Sequence, residues 1–146
     1  MRSIAPITFV LAWMFVAGCG KEVGRIPFTA EGAGETTVTL RAGKAALWTD
    51  IDIRYVGDAS LTYEVELIES DLVRARAVCD PLGSMSVKIG WVETHLGSKN
   101  SRSGQGRMPC DLDVPAAGTY LVRARLAFGN RPGELTLKQA DLVVKQ

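Results

Sequence analysis

Apolar and polar residues alternate with a period of two along most of this chain, as they do in strands with one buried and one solvated face. In Leu61-Thr62-Tyr63-Glu64-Val65-Glu66-Leu67 every odd position is apolar and every even one polar. Val38 and Leu40 alternate with Thr37, Thr39 and Arg41. Ile51, Ile53 and Tyr55 alternate with Asp50, Asp52 and Arg54. Val87, Ile89 and Trp91 alternate with Lys88 and Gly90. Tyr120, Val122, Ala124, Leu126 and Phe128 alternate with Arg123 and Arg125. The last run, Leu135 to Val144, changes phase near Lys138–Ala140, as a β-bulge requires. Turn residues separate the runs at Gly32-Ala33-Gly34, Gly57-Asp58, Asp80-Pro81-Leu82-Gly83 and Gly129-Asn130-Arg131-Pro132-Gly133. Beyond the leader no stretch repeats every 3.6 residues. The pattern predicts an all-β chain, a single antiparallel β-sandwich of jelly-roll or Ig-like type with about 7–9 strands.

One hairpin is predicted in register. Pairing Leu67 with Val73, Val65 with Ala75 and Tyr63 with Ala77 sets Glu66 opposite Arg74 and Glu64 opposite Arg76. Glu69-Ser70-Asp71 is left as a three-residue loop. Apolar groups then face the core and opposite charges pair outside, which no shift by one residue preserves.

The N-terminus, MRSIAPITFVLAWMFVAGCG, does not follow the strand pattern. Arg2 precedes a 13-residue apolar run, Ile4 to Val16, interrupted only by Thr8. A membrane-spanning helix needs about 20 residues, whereas the apolar core of a secretory signal peptide needs about 7–15. Val16-Ala17-Gly18-Cys19 resembles the bacterial lipobox, the processing motif of lipoproteins. Small residues at 17 and 18 let an extended chain enter a peptidase cleft, and the Cys19 thiol is the nucleophile that takes a diacylglycerol. The resemblance implies a signal peptide over 1–18, lipid on Cys19 and cleavage after Gly18. It also implies an acylated amino terminus and an effectively permanent anchor. Residues 19–25 are expected as lipidated cysteine and short tether, reaching about 20 Å, and 26–146 as the sandwich. Gly20 stands where an Asp would mark inner-membrane retention in enteric bacteria, so the resemblance implies the outer membrane.

Cysteine use follows from that address. Exported chains meet an oxidising compartment, and with Cys19 lipidated only Cys79 and Cys110 remain to pair. The alternatives are two buried thiols or a metal pair. His95 is the only imidazole and no Cys-x-x-Cys occurs, so a metal or other cofactor has little to hold it.

Pro115-Ala116-Ala117-Gly118-Thr119-Tyr120, followed by alternating apolars, resembles a late-strand motif of pre-peptidase C-terminal domains and CUB-like jelly rolls. The resemblance covers about a dozen residues and carries no functional residue across. It implies the sandwich class and gives Tyr120 a packing role with one hydroxyl hydrogen bond.

Charge narrows function further. Lys and Arg number 17 against 16 Asp and Glu, for a net charge of +1. That leaves no strongly basic face for nucleic acid. Trp48, Asp50 and Asp52 share the parity opposite to Leu47, Ile51 and Ile53. An indole beside two carboxylates is how many proteins hold a sugar, and these three are candidate ligand residues. The alternative is that a bulge turns Trp48 into the core. Asp111 and Asp113, with Asp50, Asp52 or Asp58, are the only candidates for calcium, and no ligand loop accompanies them. His95 has no nucleophile motif beside it. Residues 97–107 carry Lys99, Arg102 and Arg107 without an acid. They form either a candidate anion-contacting loop or a solvated, mobile one.

Two functions from different classes fit. The first is a non-catalytic, lipid-anchored envelope lipoprotein, a structural or binding module for an envelope component or a protein partner. The second is a carbohydrate-binding module or small envelope hydrolase.

Overall fold

The structure, a computed structural model, describes residues 20–146. Over these residues the alternation resolves into nine antiparallel strands: β1 (Glu22–Ile26), β2 (Gly32–Leu40), β3 (Gly43–Val56), β4 (Ser60–Glu69), β5 (Leu72–Cys79), β6 (Val87–Leu96), β7 (Lys99–Val114), β8 (Gly118–Asn130) and β9 (Leu135–Lys145). They form a five-stranded sheet ordered β1-β9-β3-β7-β6 and a four-stranded sheet ordered β2-β8-β4-β5. This is the predicted all-β sandwich.

The inward parity of each run makes the core. β3 contributes Ala45, Leu47, Ile51 and Ile53, and β9 contributes Ala140, Leu142 and Val144. From the facing sheet come Leu61, Tyr63, Val65 and Leu67 of β4 and Tyr120, Val122, Ala124 and Leu126 of β8. Burying these side chains is the main stabilising term. The polar atoms drawn inside are matched: the hydroxyls of Thr49 and Tyr63 lie 3.0 Å apart, and Tyr63 donates to the Ala140 carbonyl at 2.6 Å. Burial pushes the Tyr63 phenol above its ordinary pKa, so it stays a donor. Tyr120 packs as expected and donates to the Ala116 carbonyl at 2.5 Å. The phase change in β9 is a bulge: Asp52 faces Gln139 and Ile53 faces Leu137, leaving Lys138 without an opposite number. Cys79 and Cys110 are bridged, with Cα atoms 5.8 Å apart. The bond ties β5 of one sheet to β7 of the other.

Three expectations need correction. The β4–β5 register lies two residues further along β5, with Val65 facing Ala77 and Glu66 facing Arg76. Its turn has two residues, not three. Ser70 and Asp71 both take positive φ, 50° and 64°, the mirror-image turn whose twist suits a hairpin. A bulge at Arg74 absorbs the offset. On the far side of the bulge a shift of two keeps each face, and Arg76 reaches Glu66 at 3.5 Å in place of Glu64. Next to the turn Val73, expected in the core opposite Leu67, faces Ile68 and is 41% exposed, and Arg74 reaches Glu69 at 3.3 Å.

Residues 97–107 are not a loop. Apart from the Gly97-Ser98 turn they belong to β7, which lies between β3 and β6. The glycines serve close approach. A Cβ on Gly104 would stand 2.5 Å from the Gly90 carbonyl oxygen, and one on Gly106 2.7 Å from Met85 Cγ.

The expected tether is also largely absent. Residues 22–26 are β1, paired with β9, and Lys21 exchanges two backbone hydrogen bonds with Gln146. The sheet edge thus begins within two residues of position 19, the position expected to carry lipid.

Candidate functional site

The outer face of the five-stranded sheet gathers most of the polar residues singled out by sequence. β3 sends Trp48, Asp50, Asp52 and Arg54 there. The register against β7 brings Arg107, Gln105, Ser103 and Ser101 alongside, and that against β9 brings Val143, Asp141, Gln139 and Thr136. Trp48, Asp50 and Asp52 therefore do share one face. The register against β7 breaks between Ala46 and Trp48, yet the indole is not turned between the sheets.

What differs is access. Trp48 is only 1% exposed. The Lys145 ammonium stands 3.9 Å from its ring centroid, a cation–π contact on the surface a sugar would stack against. The indole Nε1 is buried with no hydrogen-bond partner among the described residues. Asp50 is engaged as well. Arg25 Nη1 donates at 2.8 Å to both Asp50 and Asp141, and Nη2 of the same guanidinium donates at 2.8 Å to Glu22. Hydrogen bonds to Glu22 and Asp50 raise the Arg25 pKa above its ordinary value, and the bond from Arg25 holds Glu22 below the usual carboxylate range. Gln139 donates to Asp141 at 2.9 Å, and Lys145 lies 3.4 Å from Gln105 Oε1. This internally matched cluster links β1, β9, β3 and β7. Sequence reading missed Arg25 because it falls in the expected tether. It missed Asp141 because that carboxylate is remote in sequence from Asp50 and only the sheet order joins them.

The other candidates do not converge. Lys99 and Arg107 project to the outer face, whereas Arg102 turns to the inner one, donating to the Leu82 carbonyl and lying 3.8 Å from Glu93. An anion would not meet the three together. Arg107 pairs with Asp111 at 3.5 Å, and Asp113 faces Lys44 at 4.0 Å. Asp58 lies in the β3–β4 turn, where its carbonyl accepts from Asn130. Among the described residues, no three His, Cys, Asp or Glu side chains converge as metal ligands. His95 bonds Asn100 Oδ1 through Nδ1 at 2.7 Å, with Glu93 3.5 Å from Nε2. The Thr94 and Ser101 hydroxyls bond each other on the opposite face of the hairpin.

Open relief lies at the other end of the same face. Arg54, Val56, Thr94, Leu96, Lys99, Glu134 and Thr136 line a shallow concavity of about 770 Å³. It sits where the β6–β7 turn and the β8–β9 connection flank the end of β3. Arg54, Lys99 and Glu134 make no ion pairs among the described residues, and Leu96 is 75% exposed. The surface is mixed, with an apolar floor between two cations and an acid.

Cys19 lies outside the described residues. Among the described residues no helix is long and apolar enough to cross a membrane. Compared with known proteins, the chain matches no family model and no curated protein.

Proposed function

We propose that this chain is a lipid-anchored lipoprotein of a bacterial envelope, non-catalytic, and a structural or binding module for an envelope component or a protein partner. The observation that carries the proposal is the Val16-Ala17-Gly18-Cys19 motif behind a 13-residue apolar run. It is followed almost at once by the edge strand β1. A Cys79–Cys110 bridge suits the oxidising side of a membrane. Gly20, in place of an acid, favours the outer membrane.

Orientation follows from the missing tether. Lipid on Cys19 would hold the sandwich at the end where Lys21 meets Gln146. From Ala46 opposite Lys145 to Tyr55 opposite Leu135, β3 rises about 30 Å. The concavity at Arg54, Lys99 and Leu96 lies about that far from the anchored corner and is open to a partner. The carbohydrate reading is weaker because its stacking residue, Trp48, is 1% exposed and capped by Lys145.

Replacing Cys19 with Ala tests the anchor. Release into the soluble fraction, or accumulation of unprocessed precursor, is expected. Intact-mass analysis of the parent should give a chain starting at Cys19 with acyl chains attached. A bare thiol there, or another starting residue, overturns the proposal.

A further inference from the structure

We infer that the free edge of β6 is a dimer interface that pairs with a second copy of this chain. The inference is independent of the lipid anchor, because β6 and β1 lie at opposite edges of the five-stranded sheet.

β6 pairs with β7 on one side only, and among the described residues no backbone group is bonded to its other edge. Three of its outward side chains are apolar and open. Ile89 is 48% exposed, Val92 57% and Leu96 75%. A ten-residue free edge with an apolar stripe invites strand addition.

The bulge in β6 selects the partner. Ile89 faces Gln105 and Val92 faces Ser103, so one extra residue sits between them, at Gly90-Trp91. The outward set is therefore Val87 and Ile89 before the bulge and Val92, Thr94 and Leu96 after it. In an antiparallel pair of identical strands a two-fold axis normal to the sheet keeps each side chain on its own face. An unbulged strand must then place the axis on a single residue. With the phase change, the axis falls between Gly90 and Trp91. Ile89 then lies opposite the second copy's Val92, Val87 opposite its Thr94, and Lys88 opposite its Glu93. Ile89 meets Val92 and Val87 meets Thr94 on the outward side, Leu96 lies just beyond the paired span, and opposite charges meet on the inward side. Moving the register by one residue either way sets outward side chains against inward ones. Within one chain Lys88 Nζ already lies 4.0 Å from Glu93, so the second copy supplies each charge with an equivalent partner across the seam.

Such a pair closes on itself, and the two five-stranded sheets become one of ten strands. Both outer faces then look the same way, so two lipidated termini at its far corners could reach one bilayer with the strands lying along it.

Paired cysteines in the full chain test this, with detergent added where the chain fractionates with membranes. The double variant Ile89→Cys/Val92→Cys should yield a covalent dimer under mild oxidation, since directly opposed residues meet the Cα spacing of a disulfide. Ile89→Cys alone, Val92→Cys alone and the parent should stay monomeric on a non-reducing gel. In sedimentation, Val92→Arg should weaken dimerisation at least about tenfold, while its unfolding transition should match the parent's at concentrations where both are monomeric. A parent that sediments as a monomer overturns the inference. So does equal crosslinking of the double and single variants. Open-ended oligomers in place of a dimer would also overturn it, because a two-fold seam cannot propagate.

Discussion

In the β4–β5 hairpin, side chains choose the pairing. Tyr63, Val65 and Leu67 are buried, Glu66 and Glu69 meet Arg76 and Arg74, and the two turn residues are non-glycine residues at positive φ. In the β6–β7 hairpin the backbone is the constraint. Gly90, Gly97 and Gly104 all have positive φ, and Gly104 and Gly106 lie where a side chain would strike a neighbour. One hairpin is specified by what its residues add, the other by what they lack. The disulfide joins the two, from Cys79 in β5 to Cys110 in β7.

The widest separation should come from adding a single methyl group. Gly104→Ala combines a φ of +127° with a Cβ 2.5 Å from the backbone carbonyl of Gly90, and neither can relax cheaply. It should cost about 4 kcal/mol in urea denaturation. Gly106→Ala meets side chains rather than backbone, the flexible Met85 at 2.7 Å and the edge of the Trp91 ring at 3.2 Å, and should cost about 1–2 kcal/mol. Equal losses would mean that close backbone approach does not set the β6–β7 geometry.

Cutting the link between the hairpins comes next. The bridge spans a sequence separation of 31, for which chain entropy gives about 3–4 kcal/mol. Cys79→Ser/Cys110→Ser should lose that much in equilibrium unfolding, with native strand content by circular dichroism under folding conditions. A loss below about 1 kcal/mol would mean that the two sheets hold together through the core alone.

The two hairpins also differ in how far sequence could reveal them. Alternation exposed β4, β5, β8 and β3 because each has one apolar face, and it picked out their core residues apart from Val73, which the bulge at Arg74 turns outward. It left the β4–β5 register two residues out because faces repeat every two residues, so parity excludes odd shifts and permits even ones. The turn decides between even shifts, and Ser70-Asp71 lacks the glycine that normally signals a two-residue turn. Residues 99–107 read as loop because glycine lowers strand propensity, and sequence does not reveal that Met85, Gly90 and Trp91 of the same chain will fill the space a side chain leaves. At the candidate site, parity correctly placed Trp48, Asp50 and Asp52 on one face. It could not show that Lys145 would close over Trp48 and Arg25 over Asp50, from strands at the far ends of the described chain.

The turn offers a smaller and opposite test. Asp71 holds φ at 64°, a region that costs a non-glycine residue energy. Asp71→Gly should therefore stabilise the fold by up to about 1 kcal/mol, read as a higher urea midpoint. In a three-residue loop without that strain, glycine would only add unfolded-state entropy, and the midpoint would fall.

The smallest effect separates the hairpins by pH. In β4–β5, Glu66 and Glu69 each have their own arginine. In β6–β7 a single carboxylate, Glu93, accepts from Trp91 Nε1 at 2.6 Å and has Lys88, His95 and Arg102 within 4.0 Å. The Trp91 hydrogen bond, helped by the Arg102 charge, holds Glu93 below the usual carboxylate range. A carboxylate whose folded pKa is depressed contributes stability above its unfolded pKa of about 4.5 and loses it as pH falls through the folded value. Glu93→Gln should thus cost under about 1 kcal/mol near neutrality, because the group is part-exposed and screened. The gap between parent and variant should close as pH drops below about 4. A gap that persists in acid would assign the Glu93 contribution to packing rather than charge, leaving the hairpin's glycines to set its geometry without this carboxylate.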